Sequence, residues 1–287
     1  MARLNYNVRR EMFLSFLLLP SFLGLMVFFI VPFFLSVQMG VIDNPVGRNF
    51  VGLFHFDATL RNPAFQLAIR NTATFIALSV PLNMTFALII AMMLRRMGAI
   101  GKSLIGAFFL LPLAVPSGSI VHFWQSLFGL NGFLNRLFFN EPINWLNMDI
   151  SLYFIVFIFL WKNVGFNIVL NLAGLNLIPR EYYENAAISG AGKLRQFSMI
   201  TLVYLMPTTF MVFLLSIVQS FQAFREIFLL TGAFPHRSLY MLQHYLNNQF
   251  AALDYQRMVA AVYILTISII AMVLAMLYVQ RRVMNYD

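Results

Sequence analysis

Long runs of this chain contain no charged residue, and the charged residues lie in the short segments between those runs. A transmembrane helix needs about 20 consecutive apolar residues, and the charge-free runs reach that length. The run from Asp149 to Arg180 is interrupted only by Lys162. The pattern predicts six transmembrane helices, at residues 12–39, 70–94, 103–127, 150–174, 198–222 and 258–280.

Composition agrees with a chain that lies mostly in lipid. Hydrophobic residues make up 61% of the sequence, charged residues make up 10%, and the mean hydropathy is +0.79. Soluble domains, by comparison, carry about a quarter charged residues. The sequence contains no cysteine, which excludes disulfides and thiolate metal sites. We therefore predict an all-α membrane protein with a single transmembrane domain, residues 1–287.

The distribution of Lys and Arg predicts the orientation, because these residues are enriched in cytoplasmic loops. If the N-terminus is cytoplasmic, 11 of the 19 Lys and Arg residues fall on the cytoplasmic side. Both termini and the loop 176–197 are therefore expected in the cytoplasm. The net charge of +9 follows from this bias, so nucleic acid is not predicted as a partner.

A polar segment between the fourth and fifth predicted spans carries the signals of a short helix. Pro179 suits the first helical position, where a missing N–H costs nothing. Glu181 and Glu184 suit the first turns, where the helix dipole favours acidic side chains. Gly190 and Gly192 suit the end, because glycine tolerates the left-handed conformation common there. The helix is expected near the membrane surface, either as a connector resting on headgroups or as a contact for a soluble partner.

The same segment resembles the cytoplasmic loop of binding-protein-dependent ABC importer permeases. The pattern of that loop is Glu-Ala-Ala, three residues, Gly, nine residues, then Ile-x-Leu-Pro. The matching positions are Glu184, Ala186, Gly190, Ile200 and Leu202, whereas Asn185 and Val203 depart from the pattern. A second match, Ser220–Phe224 followed by Leu229–Pro235, is similar to the sugar-type members.

The resemblance implies a permease subunit of a carbohydrate importer of the maltose, oligosaccharide or glycerol-phosphate type, in the bacterial cell membrane. It implies a second, non-identical permease, two ATPase subunits, an extracytoplasmic solute-binding protein, a sugar substrate and membrane lipid as partners. ATP and Mg²⁺ would bind the ATPase subunits, so no cofactor and no enzymatic activity are expected in this chain. Consistent with this, the sequence Gly190-Ala191-Gly192-Lys193 lacks the further Gly and Ser or Thr of a phosphate-binding loop.

The resemblance also assigns roles within the short helix, which would be a cytoplasmic coupling helix between spans 4 and 5. Glu184 would be the polar anchor on the ATPase subunit, and Gly190 the turn residue. Ala186, Ala187 and Gly190 share part of one face, so another backbone could approach closely there.

Polar side chains inside the fourth and fifth predicted spans are candidates for a substrate pathway, because such groups usually face a cavity or another helix. Amide, hydroxyl and apolar groups together suit a neutral hydroxylated ligand. The candidates are Lys162, Asn163, Phe166, Asn167, Ser216, Gln219 and Ser220. Alternatively, these residues join helices through hydrogen bonds. Lys162 needs a partner at this depth, so it is expected to line the pathway or the interface between permeases.

Two other classes of function are weighed against the importer. A secondary carrier working as a homodimer would usually place acids in the membrane, and the six predicted spans contain none. A membrane-embedded lipid-modifying enzyme would need clustered acid, His or Ser groups at one interface, and the sequence offers no such cluster. The four histidines lack metal-ligand spacing, so neither a catalytic nor a metal site is predicted.

Overall fold

The computed structural model describes residues 16–139 and 142–284, so the first residues of the predicted span 12–39 lie outside the described part. Regular secondary structure in the described residues is helical, apart from one isolated antiparallel bridge between Ile42 and Phe50. The prediction of an all-α protein is confirmed.

The helices are numbered in chain order. Within the described residues they are α1 Phe16–Val41, α2 Phe54–Arg61, α3 Pro63–Arg95, α4 Ala99–Ala114, α5 Ser117–Phe128, α6 Phe133–Phe138, α7 Ser151–Asn176, α8 Arg180–Ile188, α9 (Lys193–Gln196, Phe197–Thr201 and Leu202–Gln222 without a break), α10 Phe224–Thr231, α11 Leu242–Ala251 and α12 Tyr255–Met284. The segments Met26–Ile30 in α1 and Phe197–Thr201 in α9 are π-helical.

Five helical stretches of the described chain are long and apolar enough to cross a membrane. They are Phe16–Val41, Pro63–Arg95, Ser151–Asn176, Lys193–Thr231 and Tyr255–Arg282. A sixth candidate is the pair Ala99–Ala114 and Ser117–Phe138, whose axes differ by 98°. Every predicted span overlaps one of these stretches.

The third predicted span, 103–127, covers parts of α4 and α5, which meet at the bend rather than continue one another. Val115 has an extended backbone, with φ −79° and ψ 129°, and Pro116 follows with φ −59° and ψ 143°. A proline disfavours the helical conformation of the residue before it and lacks an N–H for the helix ladder. The break therefore falls where the sequence Val115-Pro116 requires it.

The described chain forms two compact units. The first contains residues 16–62 and 249–265. In this unit the Tyr263 hydroxyl donates a hydrogen bond to the Phe33 carbonyl and lies 3.2 Å from the Ser36 hydroxyl. The second unit contains the remaining described residues, and α7 lies at its centre, packed against α3, α4 and α9.

The sequence of α7 explains its central place. Its apolar residues are distributed around the whole circumference, a pattern typical of a buried helix, and more than half of its most apolar window is buried. By contrast, none of the corresponding window of α1 is buried in this chain. Gly165 brings α7 close to α4, because a Cβ at this position would overlap the Phe109 carbonyl oxygen.

Gly165→Ala is expected to lower the unfolding free energy by about 1–3 kcal/mol, because the added methyl would force the backbones of α4 and α7 apart. The measurement is the thermal unfolding midpoint of the purified protein in detergent. Gly106→Ala on α4 is the matched control, since a Cβ there meets nothing within 4 Å. An unfolding midpoint equal for the two variants would contradict the close approach.

Candidate functional site

A charged cluster lies where α5, α7 and α10 meet. Lys162 on α7 forms an ion pair with Glu226 on α10. The Ser117 hydroxyl, on α5, donates to Glu226 Oε1 at 2.5 Å and lies 3.5 Å from Lys162 Nζ. The side chains of Lys162 and Glu226 are only 19% and 7% exposed. A buried charge is tolerated only when it is paired, so each side chain holds the other in place.

Local backbone structure positions both the Glu226 carboxylate, which accepts the hydrogen bond, and the Ser117 hydroxyl, which donates it. Glu226 lies in the first turn of α10, where the helix dipole favours a carboxylate. Ser117 is the first residue of α5, directly after the break at Val115-Pro116. The break that interrupts the third predicted span therefore also brings the Ser117 hydroxyl to the ion pair.

A cavity of about 740 Å³ opens beside the cluster. Its volume lies in the range typical of small-molecule sites, about 300–1,000 Å³. Besides the three cluster residues, the lining includes Gln222, Gln243, Arg225, Phe221 and Phe224. The cavity thus offers amides, charges and aromatic rings together.

Two features set the polarity of this cavity. The Gln243 Oε1 atom is buried and accepts no hydrogen bond from the described residues, so it can accept one from a ligand hydroxyl. Arg225 is exposed and takes part in none of the ion pairs found among the described residues. Since Lys162 is neutralised by Glu226, Arg225 gives the cavity wall a net positive charge.

His244 follows Gln243 on α11 and adds no positive charge near the cavity. Its ring lies 4.8 Å from the ring of Phe224, centroid to centroid, and its Nδ1 accepts the Met241 N–H at 3.2 Å. Burial lowers the pKa of His244 to about 4, because desolvation disfavours the imidazolium. The imidazole is therefore neutral at pH 7.

Of the seven predicted pathway residues, the structure places Lys162 in the wall of the large cavity and the other six elsewhere. Asn163 and Ser220 are buried and donate to carbonyls of their own helices, those of Phe159 and Ile217. Phe166 and Gln219 are half-buried outside the cavity lining.

The remaining two, Asn167 and Ser216, belong to a polar contact that joins three helices. The Asn167 amide nitrogen on α7 donates to Asn83 Oδ1 on α3 and to Ser216 Oγ on α9, each at 2.8 Å. All three side chains are fully buried. These contacts agree with the alternative interpretation, in which the polar residues join helices by hydrogen bonds within the membrane. A role for Asn167 and Ser216 in the substrate pathway stays a prediction.

The short helix α8 ends at Gly190 as predicted, whereas Gly192 does not take part in its end: with φ −65° and ψ 164° it precedes the first residue of α9 as the N-cap. Gly190 has φ +81°, the Ala191 N–H donates to the Ala186 carbonyl at 2.9 Å, and the Gly190 N–H donates to the Ala187 carbonyl at 3.0 Å. These paired bonds form a Schellman motif, whose left-handed position is nearly free of strain only for glycine. Pro179 directly precedes the helix rather than occupying its first position.

One side of α8 is fixed to the membrane helices and the other is free. Tyr182 stacks on Tyr204 of α9 with ring centroids 4.9 Å apart, and the Tyr183 hydroxyl lies 3.0 Å from Thr201 Oγ1. Glu184 is exposed, and so is Ile188, at 85%. The described chain thus presents a polar and apolar surface on a short helix that is anchored to α9.

Comparison with known proteins decides the family. Residues 83–285 match the family described as binding-protein-dependent transport system inner membrane component. The chain belongs to this family. It is a membrane permease of a transport system, and a secondary carrier or a lipid-modifying enzyme is no longer a competing interpretation.

Relatives of the permease are named as sugar transport proteins. The trehalose/maltose transport system permease protein MalF of Thermococcus litoralis is 32% identical over 248 residues, which cover 82% of the permease and 81% of MalF. The arabinooligosaccharides transport system permease protein AraP of Bacillus subtilis is 32% identical over 228 residues, covering 74% and 69%.

A solved structure supports the fold of the permease. The similarity is to a bacterial ABC transporter involved in the import of the acidic polysaccharide alginate, with a TM-score of 0.80. The match covers 98% of the permease and 99% of that chain at 21% sequence identity. At this identity the likeness supports the fold alone.

Sequence reasoning missed the partner of Lys162 and most of the cavity wall of the permease. Glu226 lies four residues beyond the predicted fifth span, 198–222, so the span prediction leaves it outside the membrane helices. A signal was present, because Lys162 demands a counter-charge and Glu226 is the only acid between Glu184 and Asp254. Ser117, Gln222 and Gln243 carry no comparable signal.

Proposed function

We propose that the permease forms, with a second, non-identical permease, the translocation pathway for a sugar or oligosaccharide. The main observation in favour of a sugar substrate is the cavity of about 740 Å³ beside the Lys162–Glu226 ion pair. Hydroxyl groups of a sugar both donate and accept, so a carboxylate, an ammonium and amides can pair with neighbouring hydroxyls. The rings of Phe221 and Phe224 supply apolar faces for the sugar ring. The names of the relatives, MalF and AraP, support the same substrate class.

The proposed delivery route starts at an extracytoplasmic binding protein. Dependence on a binding protein is part of the family description. The alginate transporter has also been solved in complex with its pentasaccharide-bound periplasmic protein, which supports the same arrangement here. Both termini and α8 would then lie in the cytoplasm, as the Lys and Arg bias predicts.

We place the ATPase contact on α8. Glu184 and Ala187 are exposed, Ala186 is half-buried, and Ile188 adds an apolar side chain on the same helix. An exposed apolar group rimmed by polar residues is typical of a protein contact. Tyr182 and Tyr183 fix α8 to α9. A displacement of α8 by the ATPase subunit would therefore move a membrane helix. ATP and Mg²⁺ would bind the two ATPase subunits, which supply the energy.

Import then follows from a shift between inward- and outward-facing states. A ligand shifts such an equilibrium only through different affinities for the two states. The loaded binding protein and ATP together would favour the outward-facing state, and hydrolysis would restore the inward-facing one.

The test is uptake of labelled maltose, trehalose and arabino-oligosaccharides into proteoliposomes that contain the complete complex. Uptake should require both ATP and the binding protein. Gln243→Ala should raise the substrate concentration for half-maximal uptake by roughly fivefold, the value of one neutral hydrogen bond. Ser126→Ala on α5 is the control, because its hydroxyl bonds only the His122 carbonyl of its own helix in the described contacts. Uptake of none of these sugars, or uptake without ATP, would refute the proposal.

A further inference from the structure

A second cavity, of about 440 Å³, lies at the ends of α3 and α9 beside α8. Four cationic side chains line it, one from the last residue of α3, one from the residue that follows α3, one from the start of α8 and one from the start of α9. They are Arg95, Arg96, Arg180 and Lys193. Tyr183 and Thr201 also line this cavity, and no acidic side chain lines it.

These cations lack counter-charges within the described chain. The ion pairs found among the described residues are Arg61–Asp57, Lys162–Glu226 and Arg257–Asp254, and none involves the cavity. Arg95 is held in place, since it donates to the Ile178 carbonyl at 3.3 Å and to the Tyr183 hydroxyl at 3.4 Å. The side chains of Arg96, Arg180 and Lys193 are exposed. Like charges brought together from three helices repel one another, and an anion between them removes that repulsion.

We propose that this cavity binds a phosphate group. Guanidinium groups match phosphate oxygens with paired N–H donors, and Arg95 is already oriented by its contacts. The helix dipoles at the starts of α8 and α9 add partial positive charge near Arg180 and Lys193. The cavity volume suits a headgroup or a small phosphorylated molecule, being within the range of about 300–1,000 Å³ for ligand sites.

Two sources share this chemistry, an anionic phospholipid headgroup and a free phosphate compound. Basic clusters next to the ends of membrane helices attract anionic lipids. A bound phosphate would bridge α3, α8 and α9, so its presence would stiffen the attachment of α8. The inference does not depend on the substrate of the permease being a sugar.

The test measures anion binding to the full chain purified with its companion subunits. Native mass spectrometry would count retained phosphatidylglycerol against phosphatidylcholine. A thermal shift titration with inorganic phosphate, in neutral detergent, would test the free anion. The variant is Arg96→Gln with Lys193→Gln, which leaves the Arg95 contacts intact. The matched control is Lys102→Gln with Arg195→Gln, which removes the same charge outside the cavity lining.

The cavity variant should weaken binding of one probe by roughly 30-fold, given the strength with which each cation attracts anionic headgroups. The control should retain binding. Loss of phosphatidylglycerol alone identifies a lipid site, and loss of the phosphate response identifies a free-anion site. Equal losses in variant and control would overturn the proposal in favour of a general attraction of basic loops for the membrane surface. Unchanged binding of both probes, with weakened ATPase attachment, would overturn it in favour of an acidic contact on the ATPase subunit.

Discussion

Lys162→Met should lower the unfolding free energy of the permease by about 3–5 kcal/mol, because it leaves the Glu226 carboxylate buried without its partner. Glu226 is only 7% exposed, and its other described partner is the Ser117 hydroxyl. Glu226→Gln should also lower the unfolding free energy, because it leaves the Lys162 ammonium without a counter-charge. The measurement is the thermal unfolding midpoint of the purified complex, together with the yield of folded protein in the membrane.

A double variant distinguishes the energy of the interaction between Lys162 and Glu226 from the separate contributions of the two side chains. Lys162→Met combined with Glu226→Gln removes both charges and should recover most of the lost stability, giving a coupling energy well above the error of additive sites. Arg225→Gln is the charge control, because Arg225 is exposed on the same helix and forms no ion pair in the described chain. If the two single losses simply add in the double variant, the ion pair does not hold α7 to α10.

The same double variant tests the pathway. If Lys162 and Glu226 bind sugar hydroxyls, a folded double variant should still lose uptake, because methionine donates no hydrogen bond and the glutamine amide binds a hydroxyl more weakly than the carboxylate does. Normal uptake by a stable double variant would assign the pair a purely structural role. The prediction that Lys162 lines the pathway would then be wrong.

The helices were predictable because the bilayer imposes a simple rule. A span must be apolar over about 20 residues, so charge-free runs mark the membrane helices directly. The end of α8 was predictable for a local reason, since Gly190 can take the left-handed conformation that closes a helix. These are properties that a few neighbouring residues decide.

The pairing of distant side chains was not predictable in the same way. The pathway candidates Asn163 and Asn167 are four residues apart, a spacing that places both on one face of a helix, and both are buried. The spacing could not tell whether that face meets a cavity or the helices α3 and α9. Likewise, the position of Ser117 depends on the bend at Val115-Pro116, and its contact with Glu226 joins residues 109 positions apart.

Glu184→Ala combined with Gly190→Ala should weaken attachment of the ATPase subunits by roughly a hundredfold, through a strained left-handed alanine and a lost charged contact. A Cβ at Gly190 meets nothing within 4 Å, so the cost comes from the backbone at φ +81° and not from a clash. Opening the Schellman motif would release the Ala186 and Ala187 carbonyls and unwind the last turn of α8. The measurement is the amount of ATPase subunit that copurifies with the tagged permease, with ATP-driven uptake as the second readout.

The same loop provides the matched control, Glu181→Ala with Gly192→Ala. Glu181 is also an exposed acid of α8, and Gly192 has φ −65° with open space at its Cβ, so alanine fits there without strain. This pair removes the same charge and the same glycine count while leaving the helix end closed. The control should retain its ATPase subunits and its uptake. If it loses them as fully as the Glu184 and Gly190 variant does, the contact depends on loop charge in general, and the turn at Gly190 has no specific part in coupling.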